Sequence, residues 1–186
     1  MKIIRLLDVE TFRELQPINE DTDSTTLKKV LYNAQESKIQ EFLGTALYKK
    51  VLDLVDTGDI TNPQNAIYKT LLDDYVRKVL SYWGYVEAIP HMTYQFTDKG
   101  VQQRDGNHSR NADRAAVKEK MGNARNAAEF QTSLMIEWLC DKSANIPEYS
   151  DIDDAGIAAN TKPYFSGMEL GYGEDYDRDP LERPAN

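Results

Sequence analysis

The sequence predicts a mainly α-helical fold: a helical bundle of about four to five helices with one β-hairpin and an extended C-terminal arm. Three observations carry that expectation. Apolar residues recur at three- and four-residue spacing from Ser24 to Val86 and again from Val117 to Trp138. Between residues 92 and 105 the pattern changes to alternation. Beyond residue 146 no period is sustained and Gly and Pro recur at short intervals. The chain therefore divides into a helical domain, 1–146, with the hairpin at 92–105, and an arm, 147–186.

Taken in order, the apolar run Lys2–Leu7 suits a strand or a buried lead-in. Asp8 can cap a short helix over residues 9–16, which Pro17 ends because proline disfavours a helical residue before it. Ser24 is the next candidate cap. From there Leu27, Val30, Leu31, Ala34, Ile39, Phe42 and Leu43 keep a helical period up to Gly44. Thr45 then recaps a second helix that Gly58 ends, and two helices joined through one glycine form a corner.

Asn62 and Pro63 together signal the start of a long helix that meets no breaker before Pro90. Its apolar arc is wide, so it belongs against several neighbours; Ser81, Gly84 and Ala88 offer one of them a close approach. Tyr94 and Phe96 then alternate with Gln95 and Thr97, and Asp98-Lys99-Gly100 suits a three-residue turn. A lone hairpin is marginal in water. Packing on its own domain, pairing with the N-terminal run and adding to a neighbouring molecule are the open alternatives. A last long helix begins at Ser109 or Asn111 and runs to about Ser143 on the stripe Val117, Met121, Ala124, Ala128, Met135 and Trp138.

Charge is divided along the chain. The formal net charge is −9, yet ten acidic and three basic residues lie from Pro147 onward, giving −7 there. The preceding 146 residues hold nineteen basic and twenty-one acidic side chains, or −2. The arm also carries Tyr149, Tyr164, Phe165, Tyr172 and Tyr176, an aromatic content foreign to ordinary acidic disorder. A segment that docks in an assembly accounts for both properties. Basic residues gather at Lys99, Arg104, Arg110, Arg114, Lys118, Lys120 and Arg125. Arg110, Arg114 and Lys118 recur every four residues and share a helical face. The overall negative charge weakens a nucleic-acid reading of that face, because such binding rests on phosphate neutralisation. In a ring, the acidic arm of one subunit could lie on the basic segment of the next.

No reaction centre stands out. One cysteine, Cys140, and two histidines, His91 and His108, cannot form a usual zinc site or a disulfide within the chain. Asp151 to Gly156 begins like a calcium loop, but Ala155 and Lys162 stand where oxygen ligands are needed, so the run reads as solvated acid. His108 beside Ser109 lacks the third group that would orient a base. No cofactor, metal or catalytic residue is expected, and the absence of a long apolar run predicts a soluble, cytoplasmically made protein without a membrane partner.

The segments LLDVETFRELQPIN, LKKVLYNAQESKIQEFLGTALYKKVL, HMTYQFTDKGVQQRD and MIEWLCDKSANIPEY, in that order, resemble head–tail connector, or ring, proteins of tailed bacteriophages of the crAss-like type. The likeness spans about residues 1–149. It implies a non-enzymatic structural virion protein at the head–tail interface: an adaptor in a homo-oligomeric ring, commonly twelvefold, that binds the portal and other tail or ring proteins. DNA would pass through the channel without sequence-specific binding. In such adaptors a projecting hairpin and a terminal arm make the contacts. Residues 92–105 and 147–186 hold those places, which makes Tyr94, Phe96, Lys99, Val101 and Arg104 the hairpin contacts and Tyr164, Phe165, Tyr172 and Tyr176 those of the arm. A non-catalytic interaction module of another assembly is the alternative, and a small hydrolase or nuclease would require acidic residues to meet in a metal site that spacing does not reveal.

Overall fold

A computed structural model of the chain describes residues 3–97, 100–103, 114–150 and 156–161. The N-terminal run is a buried lead-in and not a strand: Leu6 and Leu7 are buried, and the chain enters α1 (Val9–Leu15) through Asp8. The Asp8 carboxylate accepts from the Thr11 amide at 2.8 Å and from the Thr11 hydroxyl at 3.0 Å. Those bonds, the amide bond first, hold its carboxyl below the ordinary value. Val9 and Phe12 are the residues α1 buries.

The expected cap of α2 (Ser24–Ala34) moves one residue earlier. Asp23 accepts from the Thr25 and Thr26 amides at 3.1 and 2.8 Å, because Ser24 is already inside the first turn. Ser24 Oγ instead accepts from the Arg13 guanidinium at 3.2 Å. Between α2 and α3 (Gln40–Thr57) the turn Gln35–Ile39 widens to a π-helix that buries both Gln35 and Ile39. Gln35 lies under the lead-in: its Oε1 accepts from the Leu6 amide at 2.9 Å, and its Nε2 donates to the Ile4 carbonyl and to the Tyr48 hydroxyl, both at 3.0 Å. Tyr48 in turn donates to Glu36 at 2.5 Å. Arg77 Nε donates to the Leu6 carbonyl at 3.0 Å, closing the lead-in from the other side.

The corner expected at Gly44 is present inside α3, where φ is 75° and ψ is 161°. Gly58 ends the helix in the left-handed conformation with φ 82°. The long helix begins as a 3-10 turn, Pro63–Asn65, capped by Asn62, and continues as α4 (Ala66–Thr70), a π-helical stretch Leu71–Val76 and α5 (Arg77–Thr93). The wide turn places Leu71, Leu72 and Val76 in the core together. Pro90 does not end α5. A proline removes one helical donor, here the one that would reach the Val86 carbonyl, and three further residues remain helical.

Among the described residues the pairing consequently starts at Tyr94 and not at residue 92. β1 (Tyr94–Thr97) runs antiparallel to β2 (Gly100–Gln103), with Tyr94 opposite Gln103 and Phe96 opposite Val101. Gly100 faces Thr97 in the ladder, so it is not the third residue of a turn. Among the described residues the sheet has two strands and does not include the N-terminal run.

α5 occupies the centre. Gly84 lies beneath α1 and α2, where an added Cβ would meet Leu31 at 2.7 Å and the Phe12 ring at 3.5 Å, and neighbouring Ser81 accepts from Gln16 at 3.2 Å. The close approach foreseen for Ser81, Gly84 and Ala88 is thus made by the N-terminal helices. Along another face runs α6 (Arg114–Lys142), with the Tyr75 and Trp138 rings stacked at 4.9 Å. Its stripe is wider than the expected one, since Thr132, Ile136 and Leu139 are also buried.

Thr132 is fully buried and bridges two helices: it accepts from the Trp83 indole at 3.0 Å and donates to the Ala128 carbonyl at 2.8 Å. Thr132→Val keeps the shape but removes the hydroxyl that accepts from the indole N–H. The expected cost is about 1–3 kcal/mol, read as a lower urea midpoint with an unchanged slope.

The body continues past residue 146. Ile146 and Tyr149 are both buried in the core, and α7 (Pro147–Ser150) packs on α3. Tyr149, grouped with the arm aromatics in the sequence, is a core residue. Tyr68 donates to Glu148 at 2.7 Å, tying α7 to α4, and burial with this bond pushes its hydroxyl up to about 12.

Candidate interaction site

The most specific surface feature grows from the break in α3. A helix turned by Gly44 cannot close the usual bond between the Thr45 amide and the Glu41 carbonyl, so one donor and one acceptor lie open. A strap of the same chain, residues 156–161, supplies both partners. The Thr45 amide donates to the Ile157 carbonyl at 2.9 Å, and the Glu41 carbonyl accepts from the Asn160 amide at 3.0 Å. The Ile157 amide also donates to Thr45 Oγ1 at 2.8 Å. Between these anchors the strap backbone lies directly on the glycine: a Cβ at Gly44 would stand 2.8 Å from the Ala159 nitrogen.

Electrostatics tighten one end. Glu41 accepts from the Asn160 side chain at 3.3 Å and pairs with Lys38 at 3.1 Å. The Lys38 ammonium also lies 5.1 Å from the centre of the Trp83 ring. Burial raises the Glu87 carboxyl pKa, a shift that Lys38 and the Ser37 hydroxyl partly offset. An acid whose pKa rises on folding contributes stability below its ordinary value of 4.5 and loses it as pH rises through the folded value. Glu87→Gln is therefore expected to gain on the wild type as pH goes from acid to neutral, measured by urea unfolding at both pH values.

A second concavity, a cleft of about 370 Å³, opens between the α1–α2 loop and the facing ends of α5 and α6. Pro17, Asn19, Ile89, Met92, Val117 and Lys120 are among its walls. The Lys120 ammonium stands 5.8 Å from the centre of the Tyr85 ring.

The expected contact residues divide as follows. Tyr94 and Phe96 lie on β1 and Val101 on β2, at alternate positions of the ladder. Arg114 and Lys118 are exposed on the first turns of α6. Lys99, Arg104, Arg110, Tyr164, Phe165, Tyr172 and Tyr176 lie outside the described residues, as do His108, Ser109 and the Asp151–Ala155 run. His91 and Cys140 are exposed. Among the described residues, no three His, Cys, Asp or Glu side chains meet as a metal site, and no helix is long and apolar enough to cross a membrane.

The strap was missed in the sequence. Its signal is faint: Gly156-Ile157-Ala158-Ala159-Asn160 is five uncharged residues in an acidic region. The small side chains suit a backbone laid against a glycine.

Fold and site together define a helical-bundle protein that holds an extended segment of its own chain across a glycine break. The chain belongs to DUF6712, a family of unknown function, which matches residues 39–157. No curated protein and no solved structure matches it. The matched span starts at the end of the π-helical turn and reaches the first strap contact, so Gly44, Thr45 and Ile157 all fall within it.

Proposed function

We propose that this chain is a structural subunit of a head–tail connector, a ring that joins the portal of a tailed bacteriophage to its tail and lets DNA pass. The reading rests on the resemblance over residues 1–149. One structural observation supports it best: the helical body sends its chain out past α7 along a strap fastened by main-chain bonds, as the root of a docking arm requires. In this reading the ladder at the end of α5 serves as a second contact element, with Tyr94, Phe96 and Val101 as contact residues. Arg114 and Lys118 provide a basic surface for an acidic partner segment. The arm residues Tyr164, Phe165, Tyr172 and Tyr176 then serve as aromatic anchors on the portal or on the next subunit. Ring number, a dodecamer in the pattern the resemblance implies, and the virion location belong to the same proposal.

Native mass spectrometry of the full chain, with and without the cognate portal, tests it. A complex with the portal at a ring stoichiometry is the expected result, and loss of that complex on deleting residues 163–186 assigns the grip to the arm. A chain that never binds the portal overturns the connector reading in favour of an interaction module of some other assembly.

A further inference from the structure

The outer face of α6 carries a surface that the connector reading does not use. Gly122, Asn123, Asn126, Phe130 and Leu134 are exposed there, with half-buried Ala127 and Ser133 beside them. Across these four turns the face holds no charged side chain, in a chain of which 28% is charged. Phe130 is 60% exposed and Leu134 39%. Charge depletion around an exposed aromatic residue is the composition of an interface core.

Two further observations say what covers it. A glycine inside a helix costs about 1 kcal/mol relative to alanine, and nothing among the described residues asks for one at Gly122: an added Cβ would meet none of their atoms within 4 Å. A backbone or ring arriving from outside would. Charge along α6 is also polar end to end. Residues 114–127 carry Arg114, Lys118 and Arg125 against Glu119, with Lys120 turned to the Tyr85 ring, whereas residues 128–142 carry Glu129, Glu137 and Asp141 against Lys142. A second α6 laid parallel would set like charge on like; laid antiparallel, it sets each basic half beside an acidic half. Gly122 and Phe130 are equally spaced about Asn126. An antiparallel crossing centred there brings each Phe130 ring to the level of the other copy's Gly122.

We infer that α6 is the self-association face of this protein, pairing antiparallel with α6 of a second copy about a two-fold axis near Asn126. Such a contact is self-complementary and closes on two copies. It therefore differs in symmetry from the head-to-tail contacts of a ring, although Arg114 and Lys118 border both, and it does not depend on the portal.

Sedimentation equilibrium of the full chain across the micromolar range tests the inference. A monomer–dimer equilibrium that weakens with salt is expected. Phe130→Glu should weaken association about tenfold or more while leaving the thermal midpoint of the diluted monomer nearly unchanged. Gly122→Ala separates an interface glycine from a merely tolerated one: the diluted monomer should become more stable, as open space around the Cβ allows, while the dimer becomes weaker. On a Cys140→Ser background, Asn126→Cys should oxidise readily to a disulfide-linked dimer, since the two-fold axis brings the pair together. A monomer at all concentrations overturns the inference, as does a dimer indifferent to Phe130→Glu or one in which Cys at 126 fails to cross-link. None of these failures touches portal binding, which is measured separately.

Discussion

Gly44→Ala is expected to lower stability by about 3 kcal/mol, combining a backbone conformation available essentially to glycine alone with a blocked contact. At φ 75° and ψ 161° the residue lies beyond the left-handed helical well that asparagine or alanine can visit at modest cost. A methyl group there would also stand 2.8 Å from the Ala159 nitrogen, which is main chain and cannot rotate away. Gly58→Ala is the internal comparison. Gly58 has φ 82° with ψ 0° and open space around its Cβ, so only the left-handed strain of about 1 kcal/mol applies. Urea unfolding of both variants reads the difference. Amide exchange supplies the local readout: Thr45 and Asn160 should lose protection together in Gly44→Ala, because their bonds to Ile157 and Glu41 exist only while the strap is seated. Equal costs at the two glycines would mean that the strap does not press on Gly44.

Gln35→Leu is expected to cost about 2–4 kcal/mol, although it replaces a buried polar side chain with an apolar one of similar size. The Leu6 amide and the Ile4 carbonyl would be left without their Gln35 partners in or near the core, and stranded buried groups cost more than the net value of the bonds they made. The Tyr48 hydroxyl keeps Glu36 and is the least affected. Limited trypsin digestion gives a specific check. Cleavage at Arg5 should accelerate in the variant well before global unfolding, because Gln35 and Arg77 are what hold residues 4–6 to the body. A variant as stable and as resistant as the wild type would show that burial of Leu6 and Leu7 alone holds the lead-in.

Much of the helical pattern was legible in the chain because its causes are local. Asp8 and Asn62 start helices, and Gly58 ends one, through bonds and torsions within a few residues. The glycine at 84 was readable as a place of close approach, since few other roles suit a small residue on an apolar helix face. Where local rules misled, a neighbouring contact outweighed them. Pro90 should have stopped α5, yet one missing donor is a small loss for a helix already packed on three others. Tyr149 belongs to an acidic, aromatic stretch and so looked like part of the arm, but α7 folds back onto α3 and buries it. Ser24 was a reasonable cap until Asp23, one residue earlier, proved able to reach two amides at once.

The candidate site was less legible for a related reason. Its basic face and ladder positions follow from sequence spacing, but the strap joins residues more than a hundred positions apart. No period or motif links Thr45 to Ile157 or Glu41 to Asn160. The same holds for the buried polar residues Gln35 and Thr132, whose partners Leu6 and Trp83 lie on other elements.

The sequence by itself determined that this protein is a helical bundle, where its helices turn, and that its acidity lies toward the C-terminus, because propensity, capping and charge are properties of neighbouring residues. Only the tertiary structure decided that the break at Gly44 is a seat for the chain's own strap, that Gln35 clamps the lead-in, and that α6 keeps an uncharged face with an idle glycine. Each of those depends on which surfaces meet, and on which are left over, once burial of the core has fixed the positions of the helices.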